Sequence, residues 1–406
     1  MIRSYNMLFH IIDNKKECNS IFVNDYIDKQ PDYSMLSKTW SFDSSLLDHN
    51  IDFASLYVGG KNIDQCCPEH LKEEWDDIKK KHFSYLRSFQ KAKVISSDYC
   101  FYDLVPESFV LDYNKVKSKI TDYVFKNFRK PENYNFLVGL SDLVNDISKR
   151  PLNVDTNKMN DKLHQYKARK FREKLSRTSP FVNYNVFGTV TGRLTTKKDS
   201  FPILTMDKTY RDILSPNNDF FLELDFNAAE LRCLLALNEQ PQPDGDIHEW
   251  HREKINNIYS ENLTREEIKV KMFSWLYGGE SATLGMPEIE NFYNKVGTVE
   301  KYWDGQYVNN PFGRKIECDR FRALNFIIQS TTSDIFLRKA IKIKNALKGK
   351  KSYIMGLIHD SMVIDFSGED REILKSLVNE FSNTEFGKFK VNASIGTNFG
   401  NMRKLK

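Results

Sequence analysis

Two apolar segments, DFFLELDF at 219–226 and SYIMGLIHDSMVIDF at 352–366, constrain this chain more than any other feature. The first alternates and then turns wholly apolar, the pattern of a strand, and carries Asp225 near its end. The second reads as a pair of apolar strands with His359-Asp360 at the turn between them. Aspartates on neighbouring strands of one sheet make a rigid mount for divalent cations, which take oxygen ligands. A strand-end aspartate by itself is a common turn former. What lies between the two gives them their weight.

Between them a helix is expected over TREEIKVKMFSWLYG, with Thr264 as N-cap, Glu267 three residues on as its capping-box partner, and a stop at Gly278-Gly279. Arg265, Lys269, Phe273 and Tyr277 recur every four residues along it. Four residues advance roughly 400°, so the side chains form one slowly drifting stripe. Two cations at the helix N-terminus favour a triphosphate, and two aromatics beyond them suit a base and sugar. An amphipathic helix with charges outward and aromatics inward has a similar composition. Its place between Asp225 and Asp360 favours the chemical role, because phosphoryl transfer by two metal ions needs both parts.

The rest of the chain is less informative. No repeat or low-complexity tract occurs in the 406 residues, and no Asp-x-Glu pair of a proofreading nuclease precedes residue 180. Asp76-Asp77 reads as a solvated helix face within the charged stretch 70–93. Residues 103–160 read as helices, and 162–177 form a basic helix with seven basic residues against one acidic, suited to a nucleic-acid backbone. A formal charge of +5 gives only a weak hint of a polyanionic partner. Cysteines at 18, 66, 67, 100, 233 and 318 lack zinc or disulfide spacing, so reduced thiols and a cytoplasmic location are expected, the host cytoplasm if the gene is a phage's. No apolar run is long enough to span a bilayer, and MIRSYNMLFHIIDNKK lacks a cleavage site, so no membrane partner or export is expected.

LELDFNAAELR resembles motif A of the family A DNA polymerases, the bacterial polymerase I type. The resemblance makes Asp225 a metal-binding aspartate, the Phe226 carbonyl a further metal ligand, and Glu230 a steric gate against a ribose 2′ hydroxyl. DIH at 246–248 is similar to the family's Asp-Ile-His, implying that His248 lies near the incoming phosphates. Residues 265–278 resemble motif B, with Arg265 and Lys269 on the triphosphate and Phe273 and Tyr277 at the base-pair-checking face; Lys269 is the implied proton donor to pyrophosphate. GLIHDSMV resembles motif C, implying His359 near the primer terminus and Asp360 as second metal ligand and catalytic partner of Asp225. GTVTGRLTT, PFGRK, ALNFIIQSTTSDI and GTNFG resemble flanking segments, which implies DNA contacts by Arg193, Asn325 and Gln329.

The likeness implies a mixed α+β right-hand polymerase with an antiparallel-sheet palm, helical fingers and a reduced helical thumb. The corresponding division is 1–102 of unknown role, 103–180 thumb-like, 181–226 first part of the palm, 227–335 fingers with the motif B helix at 264–278, and 336–406 second part of the palm. The expected activity is DNA-directed DNA synthesis from dNTPs on primer-template DNA with two Mg²⁺ ions (Mn²⁺ able to substitute), in phage or plasmid replication without a recognisable exonuclease. A replisome or processivity factor is the further class of partner. Departures are specific. Ser361 stands where motif C has glutamate, as also in phage-type single-subunit RNA polymerases; Phe321 stands where an arginine is expected, with Arg322, the remaining DNA-contact candidate, one residue along; FPILTMD only loosely resembles the family's PNLQNIP; and 277–313 is short, implying trimmed fingers. Glu230 argues against an RNA polymerase, and the intact aspartates and helix cations argue against an inactive DNA-binding scaffold.

Overall fold

The computed structural model describes residues 7–12, 20–94, 100–278 and 282–405, so Cys18 and Gly279 lie outside the described residues. The chain divides into two compact units, Met1–Val138 and Gly139–Lys406. The division falls inside the 103–180 stretch expected to be thumb-like.

In the first unit, strands β1 (Met7–Ile11), β2 (Ile21–Val23), β3 (Tyr26–Asp28), β4 (Leu36–Thr39) and β5 (Asp52–Phe53) form one sheet in the order β3-β2-β1-β4-β5. The β1–β2–β3 meander is antiparallel, whereas β4 joins β1 in parallel and β5 joins β4 in parallel. Helix α1 (Glu69–Lys91) buries only Trp75 and Ile78, which pack with Phe109, Val116 and Ile120 of α2 (Glu107–Asn127). The outer face of α1 carries the pairs Lys79–Asp76 and Lys80–Asp77, so the adjacent aspartates are a solvated face. His10 is fully buried with neither ring nitrogen bonded, and burial holds its pKa well below the usual imidazole value. Short strands with few alternating positions left this sheet unreadable from sequence.

Helix α3 (Tyr134–Ser148) contains the boundary between the units, and α4 (Tyr166–Leu175) is the basic helix expected near 162–177. The second unit is built on an antiparallel sheet of β6 (Phe220–Phe226), β7 (Tyr353–Ile358), β8 (Ser361–Phe366), β9 (Val391–Gly396) and β10 (Arg403–Lys404), in the order β7-β8-β6-β9-β10. Leu222, Leu224, Ile354, Leu357, Met362 and Ile364 are all buried, which accounts for the continuous apolar runs in the sequence. NYNVF is shorter as a strand than its pattern suggests, with only Tyr184–Asn185 paired, to Thr195–Thr196. The Tyr184 hydroxyl instead bonds both the N–H and the carbonyl of Leu357 in β7.

Around this sheet lie α5 (Ala229–Leu237), α6 (Ile247–Tyr259), α7 (Arg265–Tyr277), α8 (Pro287–Tyr293), α9 (Lys295–Tyr302), α10 (Arg320–Ala346) and α11 (Leu374–Ser382). Helix α10 has 27 residues and is roughly 40 Å long at 1.5 Å per residue. Its buried positions lie on several faces, because α5, α9 and α11 all pack on it. Among the described residues no helix is long and apolar enough to cross a membrane. The five described cysteines are free thiols.

Candidate active site

Asp225 pairs in register with Ser361 across β6 and β8, and with Asn392 across β6 and β9. Asp360 immediately precedes Ser361, at a turn that His359 closes with a left-handed φ of 56°. The two aspartates, remote in sequence, therefore meet at one end of one sheet. Burial first, then the Asp360 carboxylate, push the Asp225 carboxyl up to about 7, and burial also raises Asp360. Asn392 donates to Asp225 at 3.3 Å, one neutral bond against that repulsion.

The end of β6 is anchored by Phe226, stacked on Phe381 with ring centroids 4.3 Å apart. The chain then turns through Asn227 and Ala228, the latter at a φ of 51°, into α5. This turn brings Glu230 into the cleft that Asp360 lines. Glu230 accepts hydrogen bonds from the Arg193 guanidinium and from the Tyr277 hydroxyl. Arg193, Glu230, Phe273, Tyr277, Thr332, Phe336, His359 and Asp360 together line a cleft of about 310 Å³.

Helix α7 starts with the capping box: the Thr264 side chain accepts from the Glu267 N–H, and the Glu267 carboxylate accepts from the Thr264 N–H at 2.8 Å. Ile268, Met272, Trp275 and Leu276 are buried, whereas Lys269 and Tyr277 of the stripe are exposed and Arg265 and Phe273 are half-buried. The aromatics of α7 thus divide, Trp275 in the core and Phe273 and Tyr277 on the side that borders the cleft. Phe273 and Tyr277 stack with centroids 6.0 Å apart, and His248 on α6 lies 5.6 Å from Phe273. Burial holds the His248 imidazole down at about 4, so it is neutral near pH 7. Lys269 is exposed, whereas Arg265 pairs with Asp246 at 2.8 Å. Although burial opposes it, that pairing and the α6 N-cap bonds hold Asp246 well below the usual carboxylate value.

Asn325 and Gln329 are half-buried, one turn apart on α10. Arg322 is turned back on Asp319, with bonds of 2.9 and 2.7 Å. In the basic segment, Lys162 pairs with Asp212 at 2.8 Å and Arg177 with Glu173 at 2.6 Å, so part of its charge is already neutralised.

Two supports escaped the sequence reading. Arg314 forms two bonds to the buried Asp334, of 3.1 and 2.6 Å, and lies directly under Gly192. At φ +80° and with a Cβ position 2.4 Å from that guanidinium, only glycine fits beside Arg193. Glu223, two residues before Asp225 on the same side of β6, accepts from the Ser361 hydroxyl at 3.3 Å. The alternation of β6 was the signal for Glu223; Arg314–Asp334 had none beyond the PFGRK and TSDI segments.

The sequence profile of DNA polymerase family A matches residues 156–403, well over half of the chain. The chain belongs to DNA polymerase family A. Among curated relatives, a DNA polymerase of Mycobacterium phage D29 is 26% identical over 204 residues, 42% of this chain and 33% of the relative. DNA polymerase I of Aquifex aeolicus is 23% identical over 258 residues, 54% of this chain and 44% of the relative. The chain thus spans less than half the length of these curated relatives. Among solved structures, the polymerase domain of Pol1 from M. smegmatis, in complex with DNA primer-template and dNTP, aligns at a TM-score of 0.45 and 15% identity, over 78% of this chain and 55% of that one.

Proposed function

We propose that the chain is a DNA-directed DNA polymerase that extends a primer 3′ end with dNTPs, in phage-type replication. The observation that carries the reading is the meeting of Asp225 and Asp360 at one sheet end, with Asp360 in the cleft that Phe273 and Tyr277 of α7 also line. The phage D29 relative supports the setting.

The donor set fits hard divalent cations such as Mg²⁺. Burial, and after it the neighbouring Asp360 charge, raise Asp225 to about 7, and a cation between the two carboxylates would relieve both. Asp225, Asp360 and the Phe226 carbonyl would hold the ions. Bound there, two Mg²⁺ ions would supply activation of the attacking hydroxyl and neutralisation of the leaving group.

The remaining work falls to the protein. Lys269, exposed at the N-terminal half of α7, meets the triphosphate; Arg265 exchanges Asp246 for phosphate oxygens, and Lys269 gives a proton to the departing pyrophosphate. Neutral His248 donates to a phosphate oxygen without adding charge. Glu230, held by Arg193 and Tyr277, occupies the space a 2′ hydroxyl would need. Phe273 and Tyr277 stack against the new pair, while Arg193, Asn325, Gln329 and His359 hold the primer-template.

Incorporation of dNTPs and rNTPs on a primed template, beside D360A, tests the reading. Expected is dNTP-dependent extension that D360A abolishes. Preferential use of rNTPs would favour an RNA polymerase, and DNA binding without incorporation would leave an inactive scaffold.

A further inference from the structure

Phe321, at the start of α10, is 71% exposed, more than any other large hydrophobic side chain among the described residues. Single exposed aromatics are ordinary on protein surfaces and mean little alone. Here the position matters. At 100° per residue, Phe321, Asn325, Gln329, Thr332 and Phe336 fall within roughly 80° of one another around the helix. The row starts at solvent and ends in the cleft, where Thr332 and Phe336 stand beside Asp360. Within it the Asn325 Oδ1 atom is enclosed without a hydrogen-bond partner. Of the two flanking cations, Arg320 lies over the Trp303 ring, and Asp319 clasps the Arg322 guanidinium at 2.7 and 2.9 Å.

We propose that Phe321 packs its ring against the minor-groove sugars of duplex DNA about five base pairs behind the primer end, a salt-insensitive anchor on a surface that otherwise binds by charge. The inference rests on the polymerase reading. Eleven positions separate Phe321 from Thr332, roughly 17 Å along the axis, and a duplex rises about 3.4 Å per nucleotide. Duplex is favoured over template overhang because Asn325 and Gln329 share the row, and amide side chains suit the acceptor-lined minor groove. At that depth paired bases offer an aromatic ring their sugars rather than their faces.

The test is binding of the full chain to fluorescent primer-template across a salt series, for the unaltered protein, F321A and F321R. F321A should weaken binding about ten-fold at every salt concentration, with the slope of log K against log salt unchanged. F321R should restore affinity at low salt and steepen the slope by about one. On a hairpin-stabilised duplex of about three base pairs, F321A and the unaltered protein should bind alike. F321A binding at full affinity, a loss accompanied by a shallower salt slope, or a deficit that persists on the short duplex or follows the template overhang would each overturn the proposal. Primer extension by the unaltered chain is measured in parallel. Its absence removes the polymerase reading, whereas the binding comparison still decides on Phe321.

Discussion

Asp225 stands directly opposite Ser361 in the β6–β8 ladder, and this register alone brings Asp360 to the same sheet end. Slipping the pairing by one residue would turn Asp225 to the other face. D225N and D360A are each expected to fold and to lose primer extension by about a thousand-fold or more. Single-turnover incorporation checks this; a loss of less than ten-fold in either would detach that aspartate from the chemistry.

The raised Asp225 pKa sets a pH dependence. With a folded value of about 7, the metal-free protein keeps a proton that the unfolded chain releases above about 4. The folded state binds more protons in that window, so this contribution is fully present below about pH 4 and is lost as pH rises through about 7. At about 1.4 kcal/mol per unit it is no more than about 4 kcal/mol. Thermal unfolding in chelator should show stability falling between those values, with D225N flat by comparison and Mg²⁺ stabilising more at about pH 8 than at about pH 5.5. Parallel curves for D225N and the unaltered chain would show that Asp225 does not hold the proton.

Glu230, the proposed gate, also clasps Arg193 and Tyr277. E230A should raise rNTP use relative to dNTP by about a hundred-fold and also lower dNTP kcat/KM. Steady-state selectivity measures both. Unchanged ribose discrimination would place the gate elsewhere.

Phe273 has no hydroxyl to offer on the cleft side of α7. Dideoxynucleotides should therefore be poor substrates, and F273Y should improve their use by ten-fold or more, about the effect of one added hydrogen bond to the triphosphate end. Termination at equimolar ddNTP by the unaltered chain would contradict this.

Glu223 and Ser361 form a bridge across the strands that adds a third carboxylate near Asp225. E223Q is expected to weaken Mn²⁺ binding several-fold, measured by titration calorimetry on the DNA-free chain, and E223Q/S361E to recover it. D334A, by contrast, leaves the half-buried Arg314 without its partner and should cost about 3 kcal/mol, read as a fall in Tm. Equal metal affinity in E223Q, or an unchanged Tm in D334A, would refute the respective claim.

Much of this site is legible in the linear chain because its parts are local. A strand ending in Asp225, a hairpin turned on His359-Asp360 and a four-residue stripe on α7 each depend on spacings of two or four residues, which backbone periodicity converts directly into a shared face. The capping box at Thr264 is local in the same way. The sequence by itself determined these elements and the family.

Tertiary structure decided what depends on contacts across long loops. The pairing of 225 with 361, the clasp of Glu230 by residues 193 and 277, the support of Gly192 by Arg314, and the β3-β2-β1-β4-β5 order of the first unit all join residues or strands whose partners no local pattern specifies. The physical reason is that each is selected by the packing of the whole fold, where burial and charge balance are settled together.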